Sequence, residues 1–259
     1  MTPYPPSVQR VIDHGYDFKF GDYLSMGWEL MTKNAGVMIL FTLCYGIAQG
    51  FASMITGVGN LGMAIVVEPC VMAGVMLLLE RSMHGGRGRF EDIFKGFDYL
   101  GQLALSVLIK LGLTIAILIP LIIVFFYVGF GVLTGGSPTA ANISVFLIVG
   151  ALTGAVMVYV SVAWSLSTYL IVFHKMDAWP ALEASRKIVN RQWFAFFAFY
   201  LVAGIIYLGG AILLIIGLLF TYPLYLAMCF AAARDVVPPV EATAEERLTD
   251  HLLDADSWT

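Results

Sequence analysis

The sequence predicts an all-α integral membrane protein with about six transmembrane helices, arranged as three hairpins. The first observation is composition: 59% of the 259 residues are hydrophobic and only 12% are charged, whereas an ordinary soluble domain is about 25% charged. The second is a series of apolar runs of about twenty residues or more, the length that crosses a hydrocarbon core of about 30 Å. A soluble chain of this size could not hide runs such as 111–133 and 143–173 from water.

The third observation is a short amphipathic segment before each hairpin. These segments cover about residues 20–33, 90–101 and 179–193. Each places apolar residues at helical spacing on one face, which is typical of a helix lying in the membrane interface. We therefore expect a cytoplasmic-side interfacial amphipathic helix before each hairpin. We interpret the pattern as three unequal internal repeats; the alternative is a chance similarity among helices that commonly precede spans.

The six predicted spans are the apolar runs of the sequence. They lie at about residues 35–55, 61–79, 103–133, 143–173, 194–220 and 222–234. The two spans of the middle hairpin are each about 45 Å long as helices, so we expect strong tilt or protrusion from the bilayer. Pro120 should kink the first of them. The sixth run is short, and the sequence leaves open whether it crosses completely.

The polar ends of the chain flank this membrane domain, which covers residues 20–235. Residues 1–19 form a Pro-rich lead-in that we expect to be loose or to lie along the surface, and residues 236–259 form an acidic tail. The first residues lack a charged segment followed by an apolar one, so the first span would serve as the insertion signal. Lys and Arg lie on one side of the predicted spans, which places both termini in the cytoplasm.

Three polar residues within the spans are candidate site residues: Glu68, Lys110 and Gln49. Glu68 lies about 20 Å from the cytoplasmic end of its span, and an ionisable group at that depth is a functional candidate. Glu68 has two interpretations. It could be a neutral or hydrogen-bonded carboxyl within the bundle, or it could bind an ion, a proton or a substrate. Lys110 lies about 10 Å inside its span. Its side chain could snorkel to the cytoplasmic surface or point towards Glu68.

Two further groups of residues suggest contacts with lipids or between helices. The candidate contacts for anionic lipids are basic residues near the predicted surface helices: Arg87, Arg89, Arg186, Lys187 and Arg191. The alternative for these is the ordinary positive charge of cytoplasmic segments. The candidate packing positions are small-residue pairs: Gly46 with Gly50, and Gly150 with Gly154. Contact within the chain is favoured for these glycines over contact between two copies.

Three stretches of the sequence resemble a group of six-span bacterial membrane families. They are Gly27-Trp28-Glu29-Leu30 with Lys33-Asn34, Phe94-Lys95-Gly96-Phe97, and Ala181-Leu182-Glu183-Ala184-Ser185-Arg186 with Trp193. The group includes the membrane domain fused to some glycerophosphodiester phosphodiesterases and related uncharacterised stand-alone proteins. The resemblance covers roughly residues 20–235 and implies a helical membrane domain. It implies no phosphodiesterase activity, because nothing outside the membrane part is long enough to hold the catalytic barrel.

The motif content predicts a non-enzymatic membrane protein: a scaffold, an accessory subunit or a lipid-interacting module. The sequence has no Walker loop, no H-E-x-x-H and no G-x-S-x-G motif. Its histidines are scattered and its cysteines lack C-x-x-C spacing, so we expect no cofactor and no metal. The alternative is a small transporter or lipid scramblase with Glu68 in its path. Expected partners are membrane lipids; a membrane protein, a second copy or a soluble protein at the acidic tail are further candidates, and nothing indicates nucleic acid.

Overall fold

The membrane class is confirmed by a computed structural model, which describes residues 4–55, 58–86, 88–133, 139–212 and 214–239. Every regular element in these residues is a helix. Within the described ranges, six helices are long and apolar enough to cross a membrane: Ala35–Met54, Gly59–Met83, Phe90–Val128, Ala140–His174, Trp193–Ile212 and Gly217–Val236. The chain is therefore a multi-pass membrane protein.

The helices are named in chain order. They are α1 (Pro6–His14), α2 (Phe20–Lys33), α3 (Ala35–Met54), α4 (Val58–Gly62), a π-helical stretch (Met63–Val67), α5 (Glu68–Met83) and a 3-10 helix (Phe90–Tyr99). They continue with α6 (Leu100–Leu133), α7 (Ala140–Ala163), α8 (Ser167–His174), α9 (Ala178–Arg191), α10 (Trp193–Ile212) and α11 (Leu214–Val236). The three segments predicted as short helices before the hairpins form α2, the 3-10 helix and α9.

The centre of the molecule is formed by α5, α8 and α11, which all contact one another. They supply many of the largest fully buried side chains, among them Leu78, Tyr169 and Phe230. Arg234 Nε donates to Glu80 Oε2 at 2.7 Å and so joins α11 to α5. Both groups are poorly exposed, and moving the helices apart would leave two charges without compensation. The ion pair therefore holds the two helices in a fixed relative position.

Each short helix packs mainly against one of these central helices. The 3-10 helix packs on α5, α9 packs on α8, and α2 packs on α11. The first two pairings join neighbours in the sequence, whereas the third joins the beginning of the membrane domain to its end. We call α1, α2, the 3-10 helix and α9 the collar; α1 belongs to it because it packs on α9.

Close backbone contact at glycines seats the collar on the centre. A Cβ atom on Gly74 of α5 would collide with the carbonyl oxygen of Ile93, and one on Gly96 would collide with the carbonyl oxygen of Cys70. The backbones of α5 and the 3-10 helix therefore touch directly. A Cβ on Gly27 of α2 would lie 2.5 Å from Met228 Cγ of α11, so the third pairing is equally close.

The fourth predicted span is interrupted, which corrects the expectation of one helix over 143–173. α7 ends at Ala163, and α8 begins at Ser167. The buried Ser185 of α9 fills the break: its Oγ donates to the Ala163 carbonyl at 2.7 Å and accepts from the Leu166 N–H at 3.2 Å. Backbone groups released at a helix end need such partners, and one side chain here satisfies a donor and an acceptor.

The lead-in 1–19 was expected to be loose or to lie along the surface, and its described part is not loose: it contains α1, which packs on α9. α1 buries Val8 and Val11 against α9. Tyr16 Oη donates to the Ile188 carbonyl at 3.0 Å, and Gln192 Nε2 donates to the Tyr16 carbonyl at 2.6 Å. These contacts bridge residues far apart in sequence, so a local pattern of two valines among polar residues could not reveal them.

The boundary between the last two spans also differs from the prediction of 194–220 and 222–234. α10 ends at Ile212 and α11 begins at Leu214, so the predicted boundary between residues 220 and 222 lies inside a helix. Pro223 is tolerated there as prolines are in other membrane helices, where nearby groups satisfy the backbone. The sixth helix is long enough to cross. Residues 240–259, which hold most of the acidic tail, lie outside the described residues.

The glycine contact between α5 and the 3-10 helix predicts a strong effect of Gly74→Ala. The added methyl group meets a backbone carbonyl, which cannot rotate away, so we expect a loss of about 1–3 kcal/mol in the free energy of unfolding. Gly101→Ala is the control, because a Cβ there meets nothing within 4 Å and alanine favours the helix. Thermal unfolding in detergent measures both. Equal melting temperatures for the two variants would contradict the close contact.

The break between α7 and α8 predicts a similar cost for Ser185→Ala. The variant leaves the Ala163 carbonyl and the Leu166 N–H without their partner, and a buried unsatisfied group costs about 1–3 kcal/mol. Ser25→Ala is the control, since Ser25 is exposed and its hydroxyl bonds only within α2. Unfolding in detergent should separate the two variants. An unchanged stability of Ser185→Ala would show that the break needs no side-chain partner.

Candidate functional site

Lys110 lies in a pocket between α6 and α7. The pocket has a volume of about 300 Å³ and is also lined by Thr114, Met157, Val160, Ser161, Trp164 and Ser165. Lys110 Nζ donates to the hydroxyl oxygen of Ser167 at 2.8 Å, and that hydroxyl donates to the Trp164 carbonyl at 2.7 Å. The break between α7 and α8 therefore supplies both the acceptor that orients the ammonium group and part of the pocket wall.

The polar groups of this pocket favour a negatively charged ligand. No lining residue is acidic, and Ser167 accepts only one of the three N–H donors of the Lys110 ammonium group. Thr114 and Ser161 add hydroxyl donors. A positive charge with free donors and no carboxylate beside it is a site that can hold an anion.

The pocket lies at the edge of the most apolar part of the middle hairpin. The helix from Lys110 to Leu133 is about 35 Å long, and that from Ala140 to Tyr159 is about 28 Å, each close to a hydrocarbon thickness of about 30 Å. Trp193, the first residue of α10, donates from Nε1 to the Tyr159 carbonyl at 3.4 Å. The residues of α6 before Lys110 and those of the fourth span after Tyr159 therefore lie outside the hydrocarbon layer, at the level of the collar.

Glu68 is the first residue of α5 and directly follows the π-helical stretch Met63–Val67. Its side chain is exposed, and within the described ranges it makes no hydrogen bond or ion pair. The structure does not bring it together with Lys110, whose partner is Ser167. Gln49 is likewise exposed, on α3. Glu68 and Lys110 thus do not form the pair that the sequence left open.

A tyrosine cluster near Glu68 was missed by sequence reasoning. Tyr45 of α3 and Tyr222 of α11 are electrostatic neighbours of Glu68. Their rings stack with centroids 6.0 Å apart and planes at 9°, and Tyr207 of α10 lies 6.0 Å from Tyr222. The sequence could have indicated this cluster, because each tyrosine lies at a similar depth in its span, about 15–21 Å along the helix from the collar end.

Arg186 and Lys187, two of the predicted lipid contacts, have side-chain partners within the chain. Arg186 makes two hydrogen bonds to Glu183, from Nε at 3.0 Å and from Nη2 at 2.6 Å. The Arg186 guanidinium holds the pKa of the Glu183 carboxyl below its ordinary value. Lys187 Nζ donates to Tyr4 Oη at 3.1 Å. Arg186 is therefore engaged within α9, and Lys187 with the residues that precede α1.

The other three predicted lipid contacts differ in their surroundings. Arg191 Nη2 donates to the Asp13 carbonyl at 2.9 Å and holds the end of α1. Arg89 is exposed, and its backbone N–H donates to Asp92 Oδ2 at 3.0 Å. Arg87 lies outside the described residues. Binding of lipid by these residues stays a prediction.

Three of the four glycines predicted as packing positions make no close helix contact within the described part of the chain. A Cβ on Gly46, Gly50 or Gly154 meets nothing within 4 Å. A Cβ on Gly150 meets only Leu121 Cδ1, at an ordinary 3.8 Å. Contact of these glycines between two copies of the chain stays a prediction.

No family model matches the sequence, and no curated protein or solved structure is significantly similar to it. Among the residues that the structure describes, no three His, Cys, Asp or Glu side chains lie together as a metal site would require. A functional assignment therefore depends on the physical chemistry of the chain's own residues.

Proposed function

We propose that the chain is a non-enzymatic, multi-pass protein of a bacterial inner membrane that serves as a lipid-interacting module or scaffold. Its collar and both termini are on the cytoplasmic side, as the positive charge of that side indicates. The observation that carries the proposal is an exposed aromatic side chain on each of three collar helices. Trp28 of α2 is 58% exposed, Phe94 of the 3-10 helix is 58% exposed, and Trp179 of α9 is 59% exposed.

These aromatic residues suit the level of the lipid headgroups. Each of the three helices buries one face against the centre and leaves a large apolar ring outside, where water would make its exposure unfavourable. Tryptophan is enriched at membrane–water interfaces, and interfacial helices bury such rings at the boundary between headgroups and acyl chains. A collar held in this way would keep the cytoplasmic face of the bundle in contact with lipid.

Absence of catalytic motifs supports a role without chemistry. Glu68 and Lys110 do not pair with each other, since the partner of Lys110 is Ser167, so they offer no pair of acid and base. The contacts that bind collar to centre are instead structural, such as the hydrogen bond that Tyr23 Oη of α2 donates to Asp235 Oδ2 of α11. A stable cytoplasmic layer of this kind suits a scaffold or an accessory subunit.

The proposal predicts that Trp28 and Trp179 contact lipid at headgroup depth. The chain has five tryptophans, so variants that retain one tryptophan each, with phenylalanine at the others, can be reconstituted in liposomes. We expect spin labels near the headgroup to quench the fluorescence of Trp28 and Trp179 more than labels deep in the acyl chains do. The variant that retains only Trp193 is the positive control for a tryptophan at the edge of a span, because Trp193 is the first residue of α10. Quenching by aqueous quenchers without quenching by either lipid label would overturn the lipid-bound collar.

A small transporter or lipid scramblase is the second candidate, and it is favoured by Glu68. An exposed carboxylate within a span, with no intrachain partner in the described residues, is the kind of group that marks a translocation path. The tyrosines beside it add hydroxyl groups at the same depth.

Liposome assays separate the two candidates. The scaffold proposal predicts that purified protein gives no ion flux and no lipid flipping above empty liposomes, and that Glu68→Gln changes neither. Gln49→Leu is the control for a polar change elsewhere in a span. Flux or flipping that Glu68→Gln abolishes and Gln49→Leu preserves would establish the second candidate instead.

A further inference from the structure

We propose that the Lys110 pocket binds the phosphate group of an anionic phospholipid in the cytoplasmic leaflet. That the phosphate belongs to a lipid depends on the proposed function, in which the collar contacts lipid. That the bound group is a phosphate depends on the pocket itself. The site was not apparent from the sequence, because Lys110, Ser161 and Ser167 come together only through the break between α7 and α8.

The charge of the pocket is the first argument. Each of three other basic residues forms an ion pair with a carboxylate: Arg186 and Lys187 with Glu183, at 2.6 and 3.8 Å, and Arg234 with Glu80, at 2.7 Å. Lys110 has only the neutral Ser167 hydroxyl. A cation at the edge of the hydrocarbon without a counter-charge is costly, and a bound phosphate removes that cost.

The arrangement of donors is the second argument. Ser167 accepts from Lys110 and donates to the Trp164 carbonyl, so it holds the ammonium group in place as a positioning residue. The remaining N–H donors of Lys110 and the hydroxyls of Thr114 and Ser161 surround the same space. A phosphate has several acceptor oxygens and can accept from all of these groups, whereas a neutral ligand cannot use the charge.

Level and access are the third argument. The pocket lies where the span of about 30 Å ends, which is the depth of lipid phosphates. Its neighbours Leu111 and Val158 are exposed apolar residues on α6 and α7. A lipid can therefore enter sideways from the bilayer, with its acyl chains along this apolar surface.

The volume of the pocket is the fourth argument. Sites that enclose a whole small molecule have volumes of about 300–1,000 Å³, and this pocket is at the lower limit, about 300 Å³. It has room for a phosphate and the adjoining glycerol, while the chains stay outside. The headgroup beyond the phosphate stays at the mouth of the pocket, so a cationic headgroup such as choline lies near Lys110 and opposes the phosphate charge, whereas a neutral glycerol headgroup does not.

The experiment measures lipid binding to the full chain in detergent by native mass spectrometry and by melting temperature. Phosphatidylglycerol, phosphatidylcholine and inorganic phosphate are the probes. We expect wild type to bind phosphatidylglycerol about tenfold or more tightly than phosphatidylcholine, in line with charge-assisted hydrogen bonds, and Lys110→Gln to lose that preference. Lys175→Gln is the matched control, because it removes an exposed lysine outside the pocket and should keep the preference.

Two further arms keep the outcomes decisive. Lys110→Arg retains the charge and should retain the preference, and Ser161→Ala removes one hydroxyl of the pocket and should weaken phosphatidylglycerol binding severalfold even if Lys110→Gln does not fold. An unchanged preference in Lys110→Gln, or in Ser161→Ala when the former is unfolded, overturns the site. Saturation by inorganic phosphate that displaces the lipid overturns the lipid as source. Failure of tryptophan quenching in the collar would leave phosphatidylglycerol binding in detergent intact, so the two proposals can fail separately.

Discussion

The docking of α2 on α11 is the contact on which the rest of the structure depends, because it joins the first element of the membrane domain to the last. Gly27 permits the backbone of α2 to approach Met228, and Tyr23 Oη donates to Asp235 Oδ2 at 2.8 Å. The other two collar pairings follow directly from chain order, since the 3-10 helix comes after α5 and α9 comes after α8. The α2–α11 contact, together with the packing of α1 on α9, brings the beginning of the chain against its later helices, and the collar helices seated on the centre bury its apolar side chains.

The interrupted fourth helix explains the length of the middle hairpin. A continuous helix over this stretch would be far longer than a bilayer is thick. The break divides it into a spanning part and a collar-level part, and Ser185 of α9 satisfies the backbone groups that the break releases. The same break turns Ser167 towards Lys110. One local interruption therefore matches the hairpin to the membrane and creates the pocket that we assign to a lipid phosphate.

How far the sequence could predict the structure depends on the range of each interaction. Spans and short amphipathic helices were predictable because apolar length and periodicity are local properties; α2 even has the predicted bounds of 20–33. Contacts between distant residues were not predictable: Gly74 with Ile93 across a loop, Ser185 with Ala163, and Tyr16 with Ile188. The residues of the candidate site also differ in how far they could be predicted. Lys110 was identifiable as a charge in an apolar run, whereas its acceptor and the hydroxyls around it belong to other helices.

The pairing of α2 with α11 has a consequence for biogenesis. α2 precedes all six spans in the chain, whereas its partner is the sixth of them. Until α11 is inserted, the face of α2 that carries Tyr23, Leu30 and Met31 lacks its main protein contact and must rest on the bilayer or on the insertion machinery. Insertion of α11 is then the event that locks this contact, and a nascent chain arrested before α11 would present an uncovered helix to the cell's quality-control proteases.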